Sequence, residues 1–260
     1  MSLKLVSLAS GSKGNCALIY SDNTAILCDA GVSYTRISKS LKGMGFDLCD
    51  ISGIVITHEH SDHVCALKRL CDRVPLYAHP LTAKAIYDRQ GVLKNYRAVD
   101  FYENGFDIGD IKVLPFRIPH DAEYPLGYTF KCGGHSVSIA TDMGFATNGV
   151  FQNIKDSQVV LLESNHDVEM LMNGPYTPAL KKRILSKNGH LSNDMAAVMA
   201  ERLVGGKTHT IVLGHLSEQN NLPELALGAV KGRVDKLGGG VRITVALQNE
   251  ISEVFETDEK

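Results

Sequence analysis

Short apolar runs separated by polar, turn-forming segments occupy most of the chain, and this pattern predicts strands that alternate with helices. In the first half we predict strands over 3–8, 16–20, 24–28, 51–57, 74–79 and 98–101, and helices over 33–44, 64–70 and 80–90. In the second half we predict strands over 111–118, 127–132, 136–141, 158–162, 208–213, 241–247 and 251–255, and helices over 176–185, 194–204 and 222–237. Residues 105–110 are expected to form a turn. Each half contains hairpin strands followed by strands that alternate with helices, which indicates an α/β fold with a loosely duplicated pattern.

The composition is that of an ordinary globular protein. The chain has 260 residues, of which 44% are hydrophobic and 22% are charged, so it can bury a sizeable core. We expect a single domain over residues 1–260, although two intimately packed halves would also suit this length. Because the formal net charge is -2, any binding of nucleic acid must come from a local basic patch rather than from the field of the whole protein.

The six cysteines do not form a Cys-x-x-Cys motif, and several, such as Cys28, lie inside apolar runs. This placement is typical of reduced, buried thiols. Residues 1–8 are too short and wrongly patterned for a signal peptide, and no apolar run reaches the length of a membrane span. We therefore expect a cytoplasmic protein that does not associate with a membrane.

A cluster of metal-ligand side chains follows the predicted strand at 51–57. His58, His60, Asp62 and His63 form a His-x-His-x-Asp-His motif, which holds three of the 10 histidines of the chain within six positions. In extended backbone the first two histidines point to the same side, and the following turn can bring the other two residues towards them. Four nitrogen and oxygen donors at one strand end can supply part of the ligand set of a site for two metal ions.

Ligand-type residues also follow four later strands: His120, Asp142, the pair Glu163 and His166, and His215. An Asp at a single strand end is more often a turn former or a helix cap. Ligand-type residues at the ends of several strands together predict one pocket at a common sheet edge, which is the usual place for a site in a layered α/β fold.

The motif together with the later histidines and aspartate resembles the five motifs of the metallo-β-lactamase fold. The resemblance implies a four-layer αββα sandwich, with two mixed sheets and helices on the outer faces. It also implies two divalent metal ions at one edge. One ion would be held by His58, His60 and His120, the other by Asp62, His63 and His215, with Asp142 bridging both. All these donors are nitrogen or oxygen, which fits Zn, Mn or Fe.

Further blocks make the chain similar to the YycJ (WalJ) branch of that family. These blocks are 9–16, 57–63, 163–167, 189–193 and 215–221. Members of the branch are cytoplasmic hydrolases with single-strand 5′-exonuclease activity. The resemblance therefore implies a nuclease acting 5′ to 3′ on single-stranded DNA, in which a hydroxide shared by two metal ions attacks phosphorus. Where flavodiiron relatives carry a Glu, this chain has His60, which favours hydrolysis over redox chemistry.

Four residues are candidates for catalytic roles beside the metal ions. We expect Asp62 to orient the nucleophile as well as to bind metal. A proton for the leaving oxygen is expected from His190 or, as a second candidate, from His166, although either histidine could be structural. Glu163 is expected to orient a metal-binding histidine from outside the ligand set.

Six further residues are candidates for substrate contacts. Ser12 and Asn15 lie in the Gly/Ser-rich segment 9–15, which could equally be a plain turn. Lys182 and Arg183 belong to a basic run on a predicted helix, where the alternative is a solvated face. Ser192 and Asn193 precede another predicted helix, where Ser192 is also a plausible N-cap.

Two other functions remain open at this point. The same fold also serves hydrolases of small phosphodiesters and thioesters, whereas a secreted lactamase would need a signal peptide. A non-catalytic member that binds nucleic acid is the second alternative. The apparently complete ligand set disfavours it, since degenerate members usually lose ligands.

Overall fold

The computed structural model describes residues 2–91, 93–99, 105–238 and 240–258. Its strands are β1 (Lys4–Ala9), β2 (Cys16–Tyr20), β3 (Ala25–Cys28), β4 (Ile51–Val55), β5 (Leu76–Ala78), β6 (Tyr96–Ala98), β7 (Phe106–Ile108), β8 (Ile111–Arg117), β9 (Leu126–Cys132), β10 (His135–Ala140), β11 (Val159–Glu163), β12 (Thr210–Gly214), β13 (Arg242–Val245) and β14 (Phe255–Glu256). The α-helices are α1 (Tyr34–Gly43), α2 (Ser61–Val64), α3 (Leu67–Leu70), α4 (Pro80–Gln90), α5 (Asn148–Ile154), α6 (Val168–Asn173), α7 (Pro178–Ile184), α8 (Asn193–Leu203) and α9 (Pro223–Val234). Short 3₁₀ turns occupy Leu48–Asp50 and Asp235–Leu237.

The strands form two seven-stranded sheets with the same internal plan. The order is β14-β1-β2-β3-β4-β5-β6 in the first sheet and β13-β12-β11-β10-β9-β8-β7 in the second. In the first sheet β1 to β3 pair antiparallel and β3 to β6 pair parallel. In the second sheet β7 to β10 pair antiparallel and β10 to β13 pair parallel. The predicted repetition of hairpin strands followed by alternating strands and helices is therefore confirmed.

Three clusters of buried apolar side chains separate four layers. One cluster lies between the first sheet and its helices and includes Ile37 of α1 and Ile54 of β4. A second lies between the two sheets and contains Tyr128 of β9. The third packs α8 and α9 onto the second sheet, with Met199 among its members. This arrangement confirms the predicted αββα sandwich with helices on the outer faces.

Several boundaries differ from those predicted. The turn predicted over 105–110 is wrong, because residues 106–108 form β7, in which Phe106 stacks on Tyr77 and pairs with Val113 of β8. The helix predicted over 64–70 is two short helices, and the last strand is reduced to two residues. Part of the strand predicted over 98–101 lies outside the described residues.

Two helices, α5 and α6, were not predicted. Their N-caps are Thr147 and Asp167, whose side chains accept hydrogen bonds from Val150 N and Met170 N. Both caps are ordinary helix-start residues, so the signal for these short helices was present in the sequence. No helix in the described part of the chain combines the length and apolar character needed to cross a membrane.

Candidate metal centre

The polar residues that follow the strands meet at one edge of the sandwich. β4 and the parallel strands β10, β11 and β12 end at this edge, and each is followed or terminated by a predicted site residue. The two sheets are linked there by a hydrogen bond from Leu126 N to Thr57 O (3.0 Å). Because both sheets deliver their strand ends to the same edge, side chains far apart in sequence come within contact distance, as the sequence predicted.

The loop with the His motif is held against two segments, one directly before β2 and one directly after β3. Asn15 N donates to Asp62 O (2.7 Å), and Ala30 N donates to His63 O (2.8 Å). A Cβ atom on Gly31 would lie 1.6 Å from Asp62 O, so only glycine permits this close approach. These contacts fix the start of α2, which carries both Asp62 and His63.

The first group of donors is the trio His58, His60 and His120. His60 Nδ1 lies 3.0 Å from His58 Nε2 and 3.3 Å from His120 Nε2. Ligand atoms of a tetrahedral zinc ion are separated by about 3.3 Å, given Zn–N distances of ~2.0–2.1 Å. On the opposite side of its ring, His120 Nδ1 donates to Gly189 O (3.0 Å). This bond turns the other nitrogen of His120 towards the trio.

The second trio is Asp62, His63 and His215. Asp62 Oδ2 lies 3.5 Å from His63 Nε2 and 3.6 Å from His215 Nε2. Asp142 lies between the two trios. Its Oδ2 is 3.4 Å from His63 Nε2, and its Oδ1 is 3.9 Å from His120 Nε2. The geometry therefore suits the bridging position that the family resemblance implies for Asp142.

Three residues at this edge have left-handed backbone conformations. The φ angles are 62° for Asp29, 60° for Asp142 and 56° for His215. Such conformations cost about 1–3 kcal/mol in non-glycine residues and are kept where the surrounding contacts hold them. In this protein the left-handed conformations direct the side chains of Asp29, Asp142 and His215, which follow three different strands, towards the same group of donors.

Asp29 is a site residue that the sequence analysis missed. Its Oδ2 lies 2.7 Å from His63 Nδ1, and the same carboxylate accepts hydrogen bonds from Thr57 N and Oγ1 (2.8 Å each). The available signal was its place directly after a buried strand in the segment Asp29-Ala30-Gly31. That position matches the position of the other site residues relative to their strands.

Glu163 connects two histidines, as expected of a residue that orients a ligand. Its Oε1 lies 2.9 Å from His215 Nδ1 and 2.8 Å from His190 Nδ1. Its Oε2 accepts from Met143 N (2.7 Å) and Leu191 N (3.1 Å). Burial raises the pKa of Glu163, but the two histidines outweigh this effect and lower the pKa to about 2. The carboxylate is therefore ionised at neutral pH.

The two candidate proton donors occupy different environments. His190 lies at the centre, with its ring 5.0 Å from the ring of His120 and a side chain that is 19% exposed. His166 is buried, and both of its ring nitrogens lack a hydrogen-bond partner among the described residues. Burial lowers the pKa of His166 to about 4, so it is neutral at pH 7. His190 is the better placed of the two to exchange a proton with a substrate.

Two of the six substrate-contact candidates face a common cavity beside His190. Ser12 and Arg183 line this cavity of about 130 Å³. Lys182, the neighbour of Arg183 on α7, lines a different, mainly apolar groove with Met172.

The remaining candidates have structural partners. Asn15 Nδ2 lies 3.1 Å from His63 Nε2, so Asn15 belongs to the metal centre rather than to the cavity. Ser192 is the N-cap of α8 and accepts from Met195 N (3.3 Å). Asn193 is buried, with its amide Nδ2 donating to Asn221 Oδ1 (2.9 Å). Ser192 and Asn193 therefore have structural roles in this fold, and their contact with a substrate stays a prediction.

The donor set fits divalent cations. Asp142 Oδ2 and His215 Nε2 are buried without a hydrogen-bond partner among the described residues. Unpaired buried polar atoms are costly, and a bound cation would satisfy both. Burial lowers the pKa of His58 and of His120, so both imidazoles are neutral at pH 7 and offer lone pairs. The same centre supplies the carboxylates of Asp62 and Asp142, which can compensate the charge of a divalent cation.

Comparison with known proteins agrees with this architecture. Residues 24–215 match the model of the beta-lactamase superfamily domain. The chain is 35% identical over 263 residues to the exodeoxyribonuclease YycJ of Bacillus anthracis, covering 100% of this chain and 97% of that protein. It is 37% identical over 224 residues to the exodeoxyribonuclease WalJ of Streptococcus pneumoniae, covering 84% and 83% of the two chains. The metallo-beta-lactamase fold protein YhfI from Bacillus subtilis has a TM-score of 0.74 at 14% identity, covering 98% of this chain and 100% of that chain. The chain therefore belongs to the beta-lactamase superfamily and is a hydrolase with the metallo-β-lactamase fold.

Proposed function

We propose that this protein is a metal-dependent exodeoxyribonuclease that degrades single-stranded DNA from its 5′ end in the cytoplasm. The observation that carries the proposal is the meeting of two donor trios around Asp142 at one edge of the sandwich. The similarity to YycJ and WalJ along most of the chain supports DNA as the substrate. The six free cysteine thiols are compatible with a reducing compartment.

Two divalent cations would be held by the residues of the two trios. One would be bound by His58, His60 and His120, and the other by Asp62, His63 and His215, with Asp142 shared between them. Ligands of nitrogen and oxygen suit Zn, Mn or Fe. When bound, such ions lower the pKa of water and stabilise negative charge on phosphoryl oxygens.

The protein's own groups would complete the reaction. The carboxylate of Asp62 is 23% exposed, so it can accept a hydrogen bond from the attacking water and orient it. His190 would donate a proton to the leaving oxygen from Nε2. Glu163, which contacts His190 Nδ1 at 2.8 Å, would keep the ring oriented.

Polarity is tested with DNA labelled at either end. Cleavage from the 5′ end should release a 5′ label as the smallest product at the earliest times, while a 3′-labelled strand shortens progressively. Circular single-stranded DNA has no end and should resist. Early cleavage of the circle would instead indicate an endonuclease, and early release of the 3′ label would indicate the opposite polarity.

A further inference from the structure

A large cavity lies at the edge of the second sheet opposite the metal centre. It has a volume of about 560 Å³ and is lined by the turn between β9 and β10, by residues of β8 and β9, and by the segments that precede β11 and β12. β10 runs from His135, which lines the cavity, to Ala140, just before Asp142. At about 3.3 Å per residue, the cavity and the metal centre are roughly 20 Å apart.

Three lysine side chains give this cavity its positive charge. Lys112 of β8 and Lys131 of β9 are paired directly across the two antiparallel strands, so their side chains leave the same face of the sheet. Lys207, from the segment before β12, is the third. All three residues are exposed, and none of the three amines forms an ion pair with a described residue. Because like charges placed opposite each other destabilise a sheet, an anion between the amines would relieve a repulsion that the fold leaves in place.

The carboxylates near the lysines do not neutralise this charge. Asp110 is turned towards the β2–β3 hairpin, where its Oδ1 accepts a hydrogen bond from Ser21 Oγ (2.8 Å). Asp107 is the partner of Lys112 in β7, but the two side chains form no ion pair in the described structure. Asp156 is exposed and belongs to the lining. The lining therefore carries three ammonium groups against two carboxylates, one of which is already hydrogen-bonded elsewhere.

The backbone around the cavity is held by side-chain hydrogen bonds. Two of the lysines lie inside regular strands, and the segments before β11 and β12 are joined by a bond from Thr208 Oγ1 to Ser157 O (2.7 Å). Ser136 Oγ donates to Asp156 O (3.0 Å), which ties β10 to the same segments. The positions from which the three lysine side chains extend are therefore fixed relative to one another.

This lining suits a strand that carries repeated phosphates. A lysine amine is a compact point charge that does not require the planar geometry of a guanidinium. Contacts of this kind to phosphates supply affinity without reading the base sequence. The described residues that line the cavity include no Phe, Tyr or Trp on which a base could stack. The chemistry therefore fits a sugar-phosphate backbone rather than a nucleobase.

We propose that this cavity binds the backbone of the same DNA strand whose end lies at the metal centre. The inference rests on the proposed function and supplies a local basic patch, which a protein of net charge -2 needs in order to hold nucleic acid. A stacked strand advances about 3.4 Å per nucleotide, so about six stacked nucleotides separate the two contacts. Long strands therefore contact both places, and very short strands contact one of them.

The first test is the salt dependence of binding. Affinity for a single strand of about 30 nucleotides, with phosphorothioate linkages that resist cleavage, is measured by fluorescence anisotropy at several salt concentrations. Each phosphate contact adds about 0.7 to the slope of log affinity against log salt for a single strand. Lys112→Gln/Lys131→Gln should therefore reduce the slope by about 1.4, and the further change Lys207→Gln by another ~0.7.

The matched control is Lys39→Gln/Lys42→Gln, which removes two exposed lysines of α1 and therefore the same net charge. Its slope should equal that of the unmodified protein. An unchanged slope in Lys112→Gln/Lys131→Gln, or an equal fall in the control, would overturn the proposal. Weaker binding of deoxyadenosine 5′-monophosphate by Lys112→Gln/Lys131→Gln, with an unchanged slope for the strand, would assign the cavity to a free nucleotide instead.

Strand length provides the second readout, in steady-state cleavage of ordinary DNA. For the long strand, Lys112→Gln/Lys131→Gln should raise KM about three- to tenfold, the range expected for two exposed ion pairs. A trinucleotide cannot span the two places, so its KM should be the same in the variant and in the unmodified protein. An equal rise of KM for both lengths would overturn the proposal. If the unmodified protein degrades no DNA, the proposed function fails, and the anisotropy slopes still decide whether the cavity binds a strand.

Discussion

Asp29 Oδ2 lies 2.7 Å from His63 Nδ1, and both side chains are buried. The carboxylate accepts the Nδ1 proton, so Nε2 of His63 is the ring nitrogen that faces Asp62 and Asp142 and could bind a metal ion. Carboxylate partners of this kind fix the orientation of a metal-binding histidine and raise its basicity. Asp29 is thus a positioning residue of the second trio.

Asp29→Asn should weaken metal binding by about 10- to 100-fold, the usual effect of losing such a partner. Asn tolerates the left-handed backbone of this position, so the substitution avoids the strain that Ala would add. The measurement is a competitive chelator titration, with the exposed Asp88 changed to Asn as the matched control. Unaltered affinity in Asp29→Asn would show that Asp29 has no role at the metal centre.

His190→Ala should keep its metal and lose turnover by about 10²-fold or more, the range of general acid catalysis. The reason is that His190 is the partly exposed histidine that contacts Glu163 at the centre. Metal analysis and steady-state rates on single-stranded DNA separate the two effects. His166→Asn is the comparison, since a fully buried ring should matter less for turnover. Unchanged turnover in His190→Ala would end its assignment as the proton donor.

The buried, neutral His166 predicts a loss of stability in acid. Its folded pKa is about 4, below the unfolded value of about 6.5. Between these values the unfolded chain binds the extra proton, so the free energy of unfolding falls as the pH falls from about 6.5 to 4, by up to about 3 kcal/mol. Denaturant titrations of metal-free protein across this pH range should show that the free energy of unfolding falls less steeply in His166→Asn than in the unmodified protein. Equal pH dependence of the two free energies would contradict the argument.

Added salt should lower kcat/KM for single-stranded DNA, because a polyanionic substrate releases counterions when cations such as Arg183 contact it. The formal charge of -2 gives no attraction from the protein as a whole, so the effect should be moderate. Rates measured from low to physiological ionic strength provide the test. A flat response would argue against a polyanionic substrate and favour a small ester.

Local signals in the sequence were enough to predict which residues meet at one edge of the sandwich. The His motif and the residues after later strands were visible because each directly follows an apolar run. Asp29 also directly follows an apolar run, but its partners could not be read from the sequence, because they depend on the parallel pairing of β3 with β4, which brings Asp29 beside Thr57. Such a contact joins segments that are separated by a helix in the chain.

Local sequence also left the substrate contacts ambiguous. Lys182 and Arg183 are neighbours in a basic run, but successive helical residues are rotated by about 100°, so they face different cavities. Ser192 before a helix has the same signature whether it caps the helix or binds a ligand. In the structure Ser192 caps α8, and its contact with a substrate stays a prediction. These distinctions depend on how the helices pack and not on residue type.

The central claim, that the residues around Asp142 form a metal-dependent nuclease centre, is tested most directly by one time course. Single-stranded DNA with a 5′-phosphate is incubated with Mn²⁺ or Zn²⁺, and metal content is measured on the same samples, for the unmodified protein and for Asp142→Ala. We predict progressive shortening from the 5′ end by the unmodified protein, and loss of both bound metal and cleavage in the variant. Normal cleavage by Asp142→Ala, or no cleavage by unmodified protein that holds two metal ions, would contradict the account.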